Sequence, residues 1–201
     1  MGPFQSTTSA APTMSKPDPR SLPELEAGLD EIARSPRDDG TLELIVARPM
    51  SNERIILEFA ELDPRLGLVG DSWNARPNSH NPDEPPDPNV QLTLMNVRSA
   101  QLISGAKDYW PLAGDQLYVD LDLSDDNLPP GTQLALGDAV IEITAEPHTG
   151  CGKFRSRFGG DALKFVNSPA GKRMHLRGIY ARVLRAGRIR TGEQIRKHIG
   201  T

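Results

Sequence analysis

The sequence predicts a mainly β domain, a barrel or sandwich decorated by a few short helices. Three observations predict it. Short runs rich in Leu, Ile and Val recur along the chain, and nearly all of them end at Gly, Pro, Asn or Asp. Residues 117–123 alternate apolar and polar side chains, the pattern of a half-buried strand. Eighteen glycines and 18 prolines in 201 residues describe a turn-rich chain rather than a helical bundle.

Residues 1–20 carry Pro3, Pro12, Pro17 and Pro19 among Ser, Thr and Ala, too little apolar content to offset ordering entropy, and predict a mobile tail. Residues 21–40 read as a helix and a linker. Pro23 stands in the first turn, Glu24 and Glu26 favour the positive end of the dipole, and Ser35-Pro36 stops the helix near Arg34. The β domain then fills residues 41–201. Strands are predicted at 41–47, 54–60, 91–95 and 117–123, and at 133–136 and 139–144, which pair across Gly137-Asp138. Two more are predicted at 175–184 and 188–190, with a short helix at 162–167 capped by Asp161. Pro77, Pro82, Pro85, Pro86 and Pro88 preclude regular structure, so residues 74–89 are expected to form a long loop of the kind found as a lid, a binding loop or a disordered segment.

Composition narrows the function classes. No run approaches the roughly 18 apolar residues that span a bilayer, and the N-terminus has no basic segment before an apolar core. The expectation is a cytoplasmic protein. A single cysteine excludes an internal disulfide framework and any zinc site with several cysteines. The net charge of −4 hides an asymmetry: from His148 onward 13 Lys/Arg face two acids, a net +11, against −15 before it. A basic third that opens near the only cysteine points to an anionic ligand there, or to a mixed surface laid against the acidic part. Few aromatics interleave with these bases, so nucleic acid is disfavoured as the partner.

The chemistry converges on Pro147-His148-Thr149-Gly150-Cys151-Gly152-Lys153. Gly150 and Gly152 leave the sulfur of Cys151 accessible at the exit of the 139–144 strand. His148, Lys153, Arg155 and Arg157 surround it, and positive neighbours favour the thiolate that attacks sulfur or ligates metals. A redox dithiol needs a second cysteine, and no local signature of a cysteine protease is present. Ligation of a metal by one thiolate works where a cofactor brings the remaining ligands.

Read in order, G-L-V-G-D-S-W (67–73), Q-L-T-L-M (91–95), D-D-N-L-P (125–129), G-D-A-V-I-E-I-T (137–144), P-H-T-G-C-G-K-F (147–154), L-R-G-I-Y-A-R-V (176–183) and G-R-I-R-T-G-E (187–193) resemble the MOSC domains, named for the C-terminal domain of molybdenum-cofactor sulfurase. The resemblance implies a closed or partly closed β-barrel whose thiol, Cys151 here, binds molybdenum in a molybdopterin cofactor or carries sulfur as a persulfide. It implies Lys153, Arg177 and Arg76 as holders of the anionic pterin phosphate, with Asn127 and Asp71 as polar supports; His148, near enough in sequence to reach the thiol, is the candidate catalytic partner of Cys151 on the residues alone. It further implies a small molybdoenzyme, a reductase of N-oxygenated compounds served by a redox partner, or a sulfur carrier fed by a separate pyridoxal-phosphate cysteine desulfurase. This chain departs from the family where many members have Pro-Arg-x-Pro-Cys. His148 replaces that arginine, Trp73 stands where histidine is frequent, and Asn89 where a base is frequent. The competing class is a non-enzymatic module whose basic third binds an anionic partner such as nucleic acid.

Overall fold

The computed structural model describes residues 9–10, 16–78 and 81–198. Most of the expected tail, residues 1–8 and 11–15, lies outside the described residues. The part that is described is held to the domain. β1 (Ser9–Ala10) pairs with β3 (Ile55–Leu57), Pro17 is buried, and Lys16 Nζ donates to the carbonyl of Ser156 at 2.8 Å. The prolines preclude helix, yet their rigid extended chain is suited to lying along a surface.

Seven strands close a mixed barrel in the order β2 (Gly40–Ala47), β12 (Gln194–Lys197), β8 (Gln133–Leu136), β9 (Ala139–Ile143), β10 (Ile179–Arg185), β6 (Leu92–Asn96) and β7 (Leu117–Asp120), with β7 pairing back onto β2. All pairs are antiparallel except β6 with β7. A parallel pair needs a crossover, and residues 97–116 supply it through α3 (Val97–Ser104) and a 3-10 helix, Lys107–Ala113. Neither element was expected from the sequence, nor was β12. A small second sheet joins β11 (Gly187–Arg190), β4 (Phe59–Asp63) and β5 (Gly67–Leu68).

Two apolar layers result. Leu42, Ile45, Leu94, Leu117, Val119, Leu134, Ile141, Ala181 and Ile195 fill the barrel, while Leu44, Val46, Met95 and Tyr118 face outward under the helices. The register of β2 against β7 shifts between Leu42 and Leu44, so Leu42 points inward and Leu44 outward although they are two residues apart. β2 is buried on both faces because the helices cover its outer side, and its run is accordingly apolar without alternation from Leu44 to Ala47.

The expected N-terminal helix is two, α1 (Leu22–Ala27) and α2 (Leu29–Ala33), meeting at Gly28. Gly28 has an ordinary φ of −89°. Its value is close approach, since a Cβ there would come within 2.5 Å of the Leu102 side chain. The larger correction concerns the chain after Cys151. Instead of a corner followed by a short helix from Ala162, a helix begins at once: α4 (Gly152–Asn167), kinked at Gly159 where φ is +91°. Phe154, Phe158, Ala162, Phe165 and Val166 are its buried face, and this apolar stripe draws Gly152 into the helix although Gly150 stays in the loop before it. α5 (Pro169–Arg173) and a turn through His175, at φ +48°, lead into β10, so the strand expected at 175–184 starts four residues later.

Candidate functional site

Cys151 is the N-cap of α4 and is exposed. It opens into a cavity of about 480 Å³, a size suited to a small cofactor, whose wall includes Arg48, Arg54, Arg76, Lys153, Arg157 and Arg177. No carboxylate lies among the residues that line it. Three of these cations, Arg48, Arg54 and Arg76, come from the acidic part of the chain, so the charge asymmetry of the sequence indicates only half of the site.

Like charges gathered this closely repel, and the chain holds them by their peptide carbonyls. Arg54 Nε donates to the carbonyl of Pro111 (3.1 Å), Arg157 Nη1 to Leu112 (2.8 Å), Arg177 Nη2 to Ala113 (3.0 Å) and Arg48 Nη1 to Gly114 (2.6 Å). Four successive carbonyls at the C-terminal end of the 3-10 helix thus each receive one guanidinium. Those oxygens are the negative end of the helix, and of the four the Pro111 carbonyl also accepts the capping amide of Gly114 at 3.1 Å. Gly114 adopts the left-handed conformation (φ +95°) that ends this rack.

Two buried carboxylates complete it. Asp71 accepts from Arg48 Nε at 2.8 Å and Nη2 at 3.1 Å, and Asp115 accepts from Arg177 Nη1 at 2.7 Å. Neither faces the cavity. Asp71 therefore acts through Arg48, whereas the resemblance implied a direct support for the ligand. Arg177 lies over the Phe154 ring, 5.1 Å from its centroid, and its Nε is buried without a hydrogen-bond partner. Burial first, then the charges of Arg157 and Arg48, push Arg54 below the usual guanidinium range; burial and Arg48 do the same to Arg76. The cavity wall carries positive charge that the protein does not neutralise.

The thiol answers to this field. Partial burial works to raise its pKa, but the amides of Phe154 and Lys153 in the first turn of α4, with the guanidiniums of Arg177 and Arg157, outweigh it and hold Cys151 below the ordinary cysteine value. The structure thus brings Cys151, Lys153, Arg177 and Arg76 together.

It does not bring the others. Asn127 lies in the loop after β7, where its Nδ2 donates to the carbonyls of Arg37 and Asp122 and its Oδ1 accepts from Lys197 Nζ at 2.8 Å. It ties that loop to β12 and does not line the cavity. His148 lines a neighbouring cavity of about 230 Å³ with Trp73, Tyr180, Arg48, Arg76 and Arg177, and is not on the wall that Cys151 shares. Its ring lies on Tyr180 with centroids 4.4 Å apart, and its Nδ1 is 3.7 Å from Asp115 Oδ1, both atoms being buried without a hydrogen bond. Burial, then the positive charges of Arg177 and Arg48, hold it well below the ordinary histidine value, so it is neutral. Arg48, Arg54 and Asp115 escape a reading of the sequence because each is a single charged residue in an unremarkable segment. The nearest signal is the Pro111-Leu112-Ala113-Gly114 stretch, a turn with carbonyls to offer.

Among the described residues no group of three His, Cys, Asp or Glu is placed to hold a metal ion, and no helix is long and apolar enough to cross a membrane. A mostly apolar cleft of about 390 Å³ at Val97, Leu102 and Trp110 carries no thiol, which leaves the chemistry with the arginine-walled cavity.

Residues 109–196 match the MOSC domain. That span holds the carbonyl rack, the thiol and Arg177, and it agrees with the family that the sequence resembles. Solved structures share the barrel fold. The YuaD protein of Bacillus subtilis superposes with a TM-score of 0.54 at 17% identity, covering 81% of this chain and 97% of its own. YiiM of Escherichia coli gives 0.52 at 16% identity over 80% and 71%, and YiiM of Geobacillus stearothermophilus 0.55 at 14% over 80% and 75%. No curated protein matches the chain. At these identities the likeness establishes the fold.

Proposed function

We propose that the protein binds a molybdopterin cofactor in the arginine-walled cavity, with Cys151 as the protein ligand to molybdenum, and works as a small molybdoenzyme that reduces N-oxygenated compounds. One observation carries the reading: an accessible thiol and six cationic side chains share one cavity whose lining holds no carboxylate. The residues fit such a group. A soft thiolate suits the metal, and the six cations of the lining, with no carboxylate among them, call for an anionic group that the protein does not provide. When bound, the cofactor supplies an oxygen-atom-transfer centre.

The chain's part is binding and orientation. Arg48 and Arg177, fixed by carboxylates and carbonyls, present donors that lose little freedom on meeting a phosphate. Lys153 and Arg76, both exposed, adapt to the ligand's outer anionic groups. Asp71 and Asp115 keep the guanidiniums in place, and neutral His148 walls the adjoining chamber without competing for the anion. Electrons come from a redox partner, and a cytoplasmic setting belongs to this reading.

Metal and pterin content of the purified protein tests it. Molybdenum and pterin fluorescence in the wild type, both lost in Cys151→Ser, are expected; full retention in Cys151→Ser would sink the ligand role. A second reading is favoured by the exposure of Cys151: a sulfur carrier, loaded as a persulfide by a cysteine desulfurase. Cyanide-labile sulfur on Cys151 in protein free of molybdenum would select it. The concave placement of the cations favours a small anion over nucleic acid, and salt-sensitive DNA binding indifferent to Cys151 would reverse that preference.

A further inference from the structure

We infer that Cys151 can take sulfane sulfur directly from a small dianionic donor of the thiosulfate class, which makes the cavity a sulfurtransferase site. The inference rests on the sulfur-carrier reading and names its donor. The thiol is exposed to a cavity that Arg48, Arg54, Arg76, Lys153, Arg157 and Arg177 line without a carboxylate. Independently of the thiol, Arg177 is buried, with its side chain only 8% exposed, and its Nε has no partner within the protein. The rest of the Arg177 side chain lines the cavity, so an anion seated beside the sulfur would meet its positive charge.

The chemistry explains why such a wall is needed. The Sγ of the Cys151 thiolate attacks the outer sulfur of thiosulfate. A new S–S bond forms, the bond between the two thiosulfate sulfurs breaks, and its electron pair departs with sulfite: Cys–S⁻ + S–SO₃²⁻ gives Cys–S–S⁻ + SO₃²⁻. Atoms, electrons and charge balance with no added oxidant or reductant. The obstacle is that a thiolate must approach a dianion, and in open solution they repel. Cations held in place by carbonyls and carboxylates offset that repulsion before the reactants meet and stabilise the sulfite that leaves. A thiophilic nucleophile, cyanide in the assay, then removes the outer sulfur as thiocyanate and regenerates the thiolate.

The test uses the full chain and thiosulfate. One sulfite per protein and a mass gain of one sulfur atom at Cys151 are expected, with steady thiocyanate production once cyanide is added. Arg157→Gln and Arg76→Gln should each slow sulfite release by about tenfold, and added salt should slow it too. Alkylation of Cys151 by neutral iodoacetamide should fall far less in the same variants, which separates loss of the anion site from loss of fold. The inference is overturned if thiosulfate yields neither sulfite nor a mass gain while iodoacetamide labels Cys151 fully. It is overturned equally if Cys151→Ser keeps turnover, or if salt and the arginine variants leave the rate unchanged. Failure here leaves metal and pterin content untouched, so the cofactor reading stands or falls on its own measurement.

Discussion

Asp71→Asn probes whether the guanidiniums are built into the fold or only lie near one another. Asp71 is fully buried and accepts from four N–H groups. Oδ2 takes the amide of Arg48 at 2.9 Å and its Nε at 2.8 Å, while Oδ1 takes Arg48 Nη2 at 3.1 Å and the amide of Trp73 at 3.0 Å. An asparagine keeps the shape, but whichever way its amide turns, an NH₂ meets two N–H donors. The substitution also leaves the Arg48 charge, whose side chain is 10% exposed, without its partner. Removing one member of a buried pair costs about 3–5 kcal/mol, against total stabilities of about 5–15 kcal/mol. At about 2–4 °C per kcal/mol for a chain of this size, the melting temperature should drop by roughly 6–20 °C. Urea denaturation measures the free energy and a thermal scan the shift. Adding Arg48→Met to Asp71→Asn should recover part of the loss, because no buried charge then remains unpaired. A single mutant within about 1 kcal/mol of wild type would refute the reasoning, since it would mean that water screens the pair as at an exposed site.

Three further outcomes follow from the same geometry. Gly178→Ala should destabilise by more than the roughly 1–2 kcal/mol of left-handed strain, because φ is +105° and the new Cβ would fall 2.3 Å from the Leu94 carbonyl oxygen; a denaturation midpoint near wild type would contradict this. His148 is held neutral by burial and by Arg177 and Arg48, so its folded pKa lies below the ordinary value of about 6.5. The unfolded chain then binds the extra proton first, and stability should fall as pH drops below about 6.5; His148→Phe should flatten that slope between pH 5 and 7 in matched unfolding curves. For Cys151, the amides of α4 with Arg177 and Arg157 hold the thiol low against partial burial. Iodoacetamide labelling should therefore set in at lower pH than for a free thiol, and Arg157→Gln should move the onset upward; an unchanged onset would remove Arg157 from the field.

Much of the barrel was legible because its signals are local. The hairpin of β8 and β9 shows in Gly137-Asp138 between two apolar runs, and Gly137 takes a φ of +55° there. α3 and the 3-10 helix were not legible. Asn96 caps α3 through its side chain, accepting from the amides of Arg98 and Ser99, but the stripe of Val97, Ala100 and Ile103 spans only two turns directly after a strand and is too short to stand out. The 3-10 helix contains Pro111 and holds its shape through tertiary bonds, among them Tyr118 Oη donating to the Trp110 carbonyl at 2.6 Å. β12, four residues with exposed Gln194 and Arg196, has too short a pattern to stand out and exists because β8 and β2 offer it edges.

The same division runs through the site. The sequence alone determined that one thiol stands among glycines and bases and that its segments resemble, in order, those of MOSC domains, because nucleophile and turn residues are contiguous. The tertiary structure decided where the thiol sits, at the start of a helix, since the apolar face of α4 outweighs Gly152 in shaping the backbone, while Gly150 stays in the loop before it. It also decided which charges face the thiol. Some C-terminal bases are paired elsewhere, Lys164 with Asp161, Arg182 with Glu142 and Arg190 with Glu58, while Arg48 and Arg54, about 100 residues before the cysteine, reach the cavity. Charge counts follow the chain, but fields follow distance. Here the distances are set by four carbonyls at the end of one short helix, each holding an arginine in place.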